Sequence, residues 1–260
     1  MAEVIRCVLP SRRLRRTIPY NVLLPQSYSA TKRRFSVLYL LHGLFGDRNN
    51  WIELTSLVRD ADLHDFIVVT PEGGDGWYVD SATDENDKFE SYFLKDLIPT
   101  IDDSFRTRES DRARGIAGLS MGGYGALKFA LKRPDLFAFA SSSSGAFNAP
   151  LLSEETGFGE WEEMRPSILK AFGSRRSRTR ETNDLFRLVS EFEKEKYPAP
   201  LIFMDCGKLD SFLNVNREFS HKLAECGISH SYREFAGGHD WVYWNRRLRN
   251  ILRVANEVLR

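Results

Sequence analysis

The sequence predicts an α/β fold built on one mostly parallel central sheet of about eight strands, with helices on both faces. Three observations lead there. Short apolar runs alternate with helical patterns along most of the chain, the signature of βαβ units. Several runs are apolar nearly throughout, as expected of strands covered on both faces. The chain has 260 residues, 42% of them hydrophobic, enough for one large core without a disulfide framework.

The elements follow in order. Runs at 4–9 and 14–24 lie close together and read as an antiparallel pair at one edge. The run 36–41 is continuously apolar and ends at His42-Gly43; the run 66–70 is stopped by Pro71. Further strands are expected over 113–118, 137–142, 201–204 and 231–235. Between them Phe89, Phe93, Leu97, Ile101 and Phe105 recur every four residues, a helix that Pro99 should kink. Tyr124, Leu127 and Leu131 form one helical stripe and Lys128 and Lys132 another, with Pro134 after the stop. Phe212, Val215, Phe219 and Leu223 mark the next helix, which Cys226-Gly227 should cap. Leu248, Ile251, Leu252 and Val258 mark the last. Residues 147–184 break the alternation. They read as an insertion over the sheet's C-terminal edge, within a single domain spanning 1–260, because so short a segment seldom holds its own core.

Composition excludes several classes. Lys plus Arg is 37 and Asp plus Glu is 36, a net charge of +1, which gives no general case for nucleic acid. The clusters Arg12, Arg13, Arg15, Arg16 and Arg175, Arg176, Arg178, Arg180 read as solvated faces. Cys7, Cys206 and Cys226 are an odd count without C-x-x-C spacing, against a zinc site and a secreted disulfide scaffold. There is no 18-residue apolar run, so no membrane span is expected, and the first residues lack the apolar stretch of a secretory signal. The expectation is a reduced, cytoplasmic, soluble protein. A homo-oligomer is left open.

The chemistry concentrates at Gly118-Leu119-Ser120-Met121-Gly122, which directly follows one expected strand and directly precedes a helix. A nucleophile elbow requires that setting: the serine sits on a tight turn above the sheet, and side chains two residues either side would collide with it. Serine is a poor nucleophile unless a base takes its proton and an acid orients the base. His239 lies in the glycine loop Gly237-Gly238-His239-Asp240 after the last strand and is the expected base; His221 reads as a surface residue, and His42 as structural. The acid should follow the preceding strand, where Asp205 and Asp210 are both candidates. Asp210 is preferred because a loop carboxylate can reach the next loop. Its competing role is to cap the helix from Phe212 onward, which Ser211 could do instead. A developing oxyanion needs donors: the N–H of Met121, and the N–H of Leu44 in the loop after the 36–41 run. Trp77, Tyr78 and Trp241 are candidate pocket walls for an acyl or aryl group, Trp77 and Tyr78 dividing evenly between wall and core packing, while Trp244 reads as packing. Cys206, between the two acids, would make activity sensitive to thiol reagents.

The chain resembles the putative esterase family of α/β-hydrolases along most of its length. The markers are Pro19-Tyr20-Asn21-Val22-Leu23-Leu24-Pro25, Leu38-Tyr39-Leu40-Leu41-His42-Gly43, Gly118 through Ala126, Asp205 through Asp210, and Gly237-Gly238-His239-Asp240-Trp241. The resemblance implies an α/β-hydrolase fold, a triad of Ser120, Asp210 and His239, oxyanion amides at Leu44 and Met121, and neither a metal nor an organic cofactor. It is nearer to the tributyrin and feruloyl esterase branch, through Gly76-Trp77-Tyr78. It is further from S-formylglutathione hydrolases, which usually carry histidine where Leu119 stands, and from mycolyltransferases, which carry a secretion signal. The expected function is a serine carboxylesterase acting on short-chain acyl or aryl esters, its partner a small-molecule ester. Alternatives are a carbohydrate-ester hydrolase of feruloyl or acetylxylan type, an S-formylglutathione hydrolase, an acyltransferase and, from another class, a catalytically silent binding protein.

Overall fold

Near-continuous apolar runs become strands stacked side by side. In the computed structural model, which describes residues 2–193 and 196–259, eight strands are present among the described residues. They are β1 (Glu3–Ser11), β2 (Arg16–Leu24), β3 (Ser36–Leu41), β4 (Phe66–Pro71), β5 (Arg114–Leu119), β6 (Phe139–Ser143), β7 (Leu201–Gly207) and β8 (His230–Phe235). They form one sheet in the order β1-β2-β4-β3-β5-β6-β7-β8. β1 pairs with β2, and β2 with β4, antiparallel; every later pairing is parallel.

Strand periodicity divides the apolar residues between two cores. Val37, Tyr39 and Leu41 of β3 face one cluster, and Leu38 and Leu40 face the other. The first cluster is closed by α1 (Ile98–Ser104), α2 (Met121–Lys132) and α4 (Leu213–Glu225), the second by α5 (Trp241–Val258). Parallel pairing brings the C-terminal ends of β3, β4, β5, β6, β7 and β8 to one edge, so the loops after them meet there.

Three features beyond the sequence reading have physical causes. The helix expected through Pro99 is a short α turn (Phe89–Tyr92), a π-helical turn (Phe93–Leu97) and then α1. Proline has no N–H to give and its ring clashes with the carbonyl four residues back, which the wider π turn accommodates. Lys128 and Lys132 share a stripe, but it faces Glu90: Lys128 is wholly buried, bonded to Glu90 Oε2 at 2.6 Å and to the Tyr78 carbonyl. Arg180 is not part of a solvated face either. It is buried and donates to the carbonyls of Gly173, Ser174, Pro150 and Leu152, stapling residues 147–184 together. Within that segment α3 (Arg165–Phe172) is the longest helix, and Phe158, Met164, Ile168 and Phe172 join the first core cluster.

Candidate active site

The turn between β5 and α2 places Ser120. Its φ of 52° is uncommon for a residue with a side chain, and the surroundings hold it there. The Ser120 N–H donates to the Ser143 carbonyl at 3.0 Å, and the Ser120 carbonyl accepts from Tyr124 N–H at 3.0 Å and Ala146 N–H at 3.2 Å. A Cβ on Gly118 would lie 2.4 Å from the Gly122 backbone, and one on Gly122 would lie 2.5 Å from the Leu41 carbonyl oxygen. Both glycines therefore stand where backbone meets backbone.

The loops after β7 and β8 bring the other groups in. His239 Nε2 is 3.1 Å from Ser120 Oγ, and His239 Nδ1 is 3.0 Å from Asp210 Oδ2 and 3.1 Å from Oδ1. An ionised carboxylate only accepts, so this contact assigns the ring proton to Nδ1 and leaves Nε2 to accept from the serine hydroxyl. Asp210 Oδ1 also accepts from Phe212 N–H at 2.9 Å. The cap role and the histidine contact, competing readings of the sequence, coexist on one carboxylate. Burial raises the Asp210 carboxyl, but the hydrogen bond and charge of His239 outweigh it, aided by the Ser144 hydroxyl and Phe212 N–H, and its pKa is lowered. Asp205 is buried with different partners, Tyr243 and Arg247, and burial raises its pKa.

Met121 opens α2, so its N–H has no carbonyl one helical turn earlier to bond. In the loop after β3, Asp75 Oδ1 accepts from Phe45 N–H at 2.9 Å and the Gly43 carbonyl from Gly46 N–H at 3.2 Å. Leu44, between them, lines the cavity over Ser120. His42 sits behind this loop: its Nε2 accepts from Gly73 N–H at 2.9 Å and its Nδ1 donates to the Gly43 carbonyl at 2.8 Å.

The cavity over Ser120 and His239 measures about 600 Å³. Trp241 lines it as expected of a pocket wall. Trp77 and Tyr78 do not. Both are fully buried, with consecutive positive φ values of 54° and 53° that turn their rings into the core. Trp77 Nε1 donates to Ser167 Oγ at 3.0 Å, and Tyr78 Oη to the His42 carbonyl at 3.1 Å. Cys206 is fully buried too, and burial pushes its thiol far up, which removes the basis for reactivity toward thiol reagents.

Sequence reasoning missed several lining residues. Trp244 packs in the second core cluster as read, but it also stands edge-on to His239 with ring centroids 4.9 Å apart and lines the cavity. Its position three residues after Trp241 on one helix was the available signal. Phe212 flanks His239 on another side at 5.1 Å, and Trp161 of the 147–184 segment stacks on Phe212 at 5.3 Å. Glu160, Glu163 and Met164 of the same segment complete that wall.

The sheet order, the strained Ser120 turn and the two loops converging on it define an α/β-hydrolase. Residues 11–255 match the family described as Putative esterase, and the chain belongs to that family. It is 31% identical over 243 residues to an esterase of Mycobacterium tuberculosis, covering 84% of this chain and 52% of that one; it thus spans about half the length of that relative. It is 29% identical over 226 residues to an acetyl esterase of Caldicellulosiruptor saccharolyticus, covering 85% and 83%. Among solved structures it is similar to a substrate-bound, fluorophosphonate-binding serine hydrolase of Staphylococcus aureus, with a TM-score of 0.86, 26% identity and 98% of both chains covered. Among the described residues no helix is long and apolar enough to cross a membrane.

Proposed function

We propose that the chain is a serine carboxylesterase that hydrolyses short-chain acyl or aryl esters through an acyl-enzyme. The observation that carries this is the continuous row Asp210–His239–Ser120, with contacts of 3.0 and 3.1 Å. Ser120 Oγ attacks the ester carbonyl carbon while His239 Nε2 takes the hydroxyl proton. The carbonyl oxygen becomes an anion, which the N–H groups of Met121 and Leu44 receive; losing one such donor typically costs about 2.7–4 kcal/mol of barrier. Collapse of that intermediate breaks the bond to the alcohol oxygen, which leaves with the proton from His239. Water then repeats the sequence on the acyl-enzyme, restoring Ser120 and releasing the acid. Asp210 keeps the proton on Nδ1 and offsets the imidazolium charge.

The aromatic walls Trp161, Phe212, Trp241 and Trp244 suit an apolar or aryl group. The partner is a small-molecule ester, which a chain of net charge +1 needs no field to steer. We place the protein in the cytoplasm on its odd cysteine count and the buried thiol of Cys206. Ser120→Ala is expected to abolish turnover of 4-nitrophenyl acetate and labelling by a fluorophosphonate probe, with the fold intact by circular dichroism. Turnover retained near the wild-type rate would refute the assignment.

A further inference from the structure

Asp205 was the second candidate acid, and its carboxylate is engaged away from the serine. Oδ1 accepts from Tyr243 Oη at 2.8 Å, and Oδ2 lies 3.6 Å from Arg247 Nε. These partners are four residues apart on α5, hence on one face. Each of them rests on the segment that leads to His239. The Arg247 guanidinium lies 3.7 Å from the centroid of the Phe235 ring, at the end of β8. The Tyr243 ring lies against Gly237, so close that a Cβ there would be 2.5 Å from Tyr243 Cδ2. One buried carboxylate therefore joins, by a hydrogen bond to Tyr243 and an ion-pair contact with Arg247, the two side chains that rest on the ends of the three-residue segment preceding Gly238 and His239.

We propose that Asp205 is a positioning residue for His239, acting through Tyr243 and Arg247. The inference rests on the reading of His239 as general base. Its physical content is that the base must meet Ser120 Oγ at hydrogen-bond range while its own loop is held mainly from below. Around the loop the backbone supplies two bonds, Lys208 N–H to the Phe235 carbonyl at 2.8 Å and Leu209 N–H to the Gly237 carbonyl at 2.9 Å. Those fix the loop to its neighbour after β7. Asp205 fixes it to α5, the helix that also supplies Trp244 against the imidazole. The carbonyl of Asp205 accepts from Ser144 N–H at 2.8 Å, which anchors the carboxylate to the end of β6.

The test compares Tyr243→Phe, which removes one hydroxyl, and Asp205→Asn with the wild type on 4-nitrophenyl acetate. A base displaced by a fraction of an ångström to about 1 Å is expected to lose about ten- to a hundredfold in kcat. KM should stay within about twofold, since neither side chain lines the cavity. If Asp205 acts through His239, Tyr243→Phe placed on Asp210→Asn should add less than about a twofold further loss, because the base is already disoriented. A purely structural residue would lower the melting temperature and leave kcat alone, and a kcat loss that adds fully to that of Asp210→Asn would mean a route other than His239; either result overturns the proposal. A wild-type protein that takes no fluorophosphonate at Ser120 overturns the esterase reading and this one with it. A labelled wild type whose Tyr243→Phe variant labels and turns over equally fast overturns this one alone.

Discussion

The two sides of the proposed active site are held by different physics. On the nucleophile side backbone packs on backbone. Gly118 and Gly122 leave no room for a methyl group, and Ser120 is pinned by main-chain bonds to Ser143, Tyr124 and Ala146. On the histidine side, side chains add to the backbone contacts and set the polar geometry: Asp210 to His239, Asp240 to the N–H of Tyr243 at 2.8 Å, Tyr243 to Asp205. The serine turn should tolerate no atom added, whereas the histidine loop, tight at Gly237 but open at Gly238, should be most sensitive to a polar group removed.

The severest test falls on the histidine side. In Asp210→Asn an amide oxygen can still cap Phe212, so the fold should survive. The amide no longer enforces a proton on Nδ1 or offsets an imidazolium. A fall in kcat of about 10⁴-fold is expected by analogy with other triads, read on 4-nitrophenyl acetate beside an unchanged circular dichroism spectrum. A loss under tenfold would move the acid away from Asp210.

A matched pair of glycine substitutions then compares the sides directly. In Gly122→Ala the new methyl would sit 2.5 Å from the Leu41 oxygen and 2.6 Å from that of His42, both main chain and unable to swing aside. The expected cost is about 3 kcal/mol of stability, at the upper end for overpacking, with turnover lost as the turn shifts. In Gly238→Ala the nearest atom is Asp240 Oδ2 at 3.6 Å, an ordinary contact, and the cost should stay within about 0.5 kcal/mol. Urea unfolding of both variants checks this. Equal costs would erase the distinction between the two sides.

The same distinction explains what the sequence made legible. The elbow is a local demand of backbone on glycine, so Gly118-Leu119-Ser120-Met121-Gly122 could be read from five adjacent residues. The sheet was legible for a similar reason, because burial on both faces writes itself as continuous apolar runs. The choice between Asp205 and Asp210 depends on where a carboxylate points across two loops, and spacing carries no such information. Trp77 and Tyr78, open between wall and packing in the sequence, fall to packing because two consecutive left-handed residues turn their rings into the core. Arg180 misled, and the burial of Lys128 went unread, because each is covered by segments distant in sequence, residues 150–174 for the one and Glu90 and Tyr78 for the other. Trp161 carried no signal, since its value comes from stacking on Phe212, some fifty residues away.

The nucleophile side has an ionic support of its own, and it should show in acid. Beneath α2, Glu90 accepts from Lys128 Nζ at 2.6 Å and from Lys132 Nζ at 2.5 Å. Burial raises the Glu90 carboxyl, but the two ammonium groups outweigh it and hold its pKa down at about 2, against 4.5 for the free side chain. The folded-state value is depressed, so the unfolded chain binds the proton first as pH falls. The stabilisation is fully present above pH 4.5 and is lost as pH falls toward about 2. One group can contribute a slope of at most about 1.4 kcal/mol per pH unit. Lys132→Gln removes one ammonium and leaves Lys128 in place, so the Glu90 pKa should move back toward its free value and the slope between pH 4.5 and 2 should shrink. Urea midpoints measured stepwise across that range read it out. An unchanged slope in Lys132→Gln would assign the acid sensitivity to other carboxylates, Asp210 among them, and so to the histidine side.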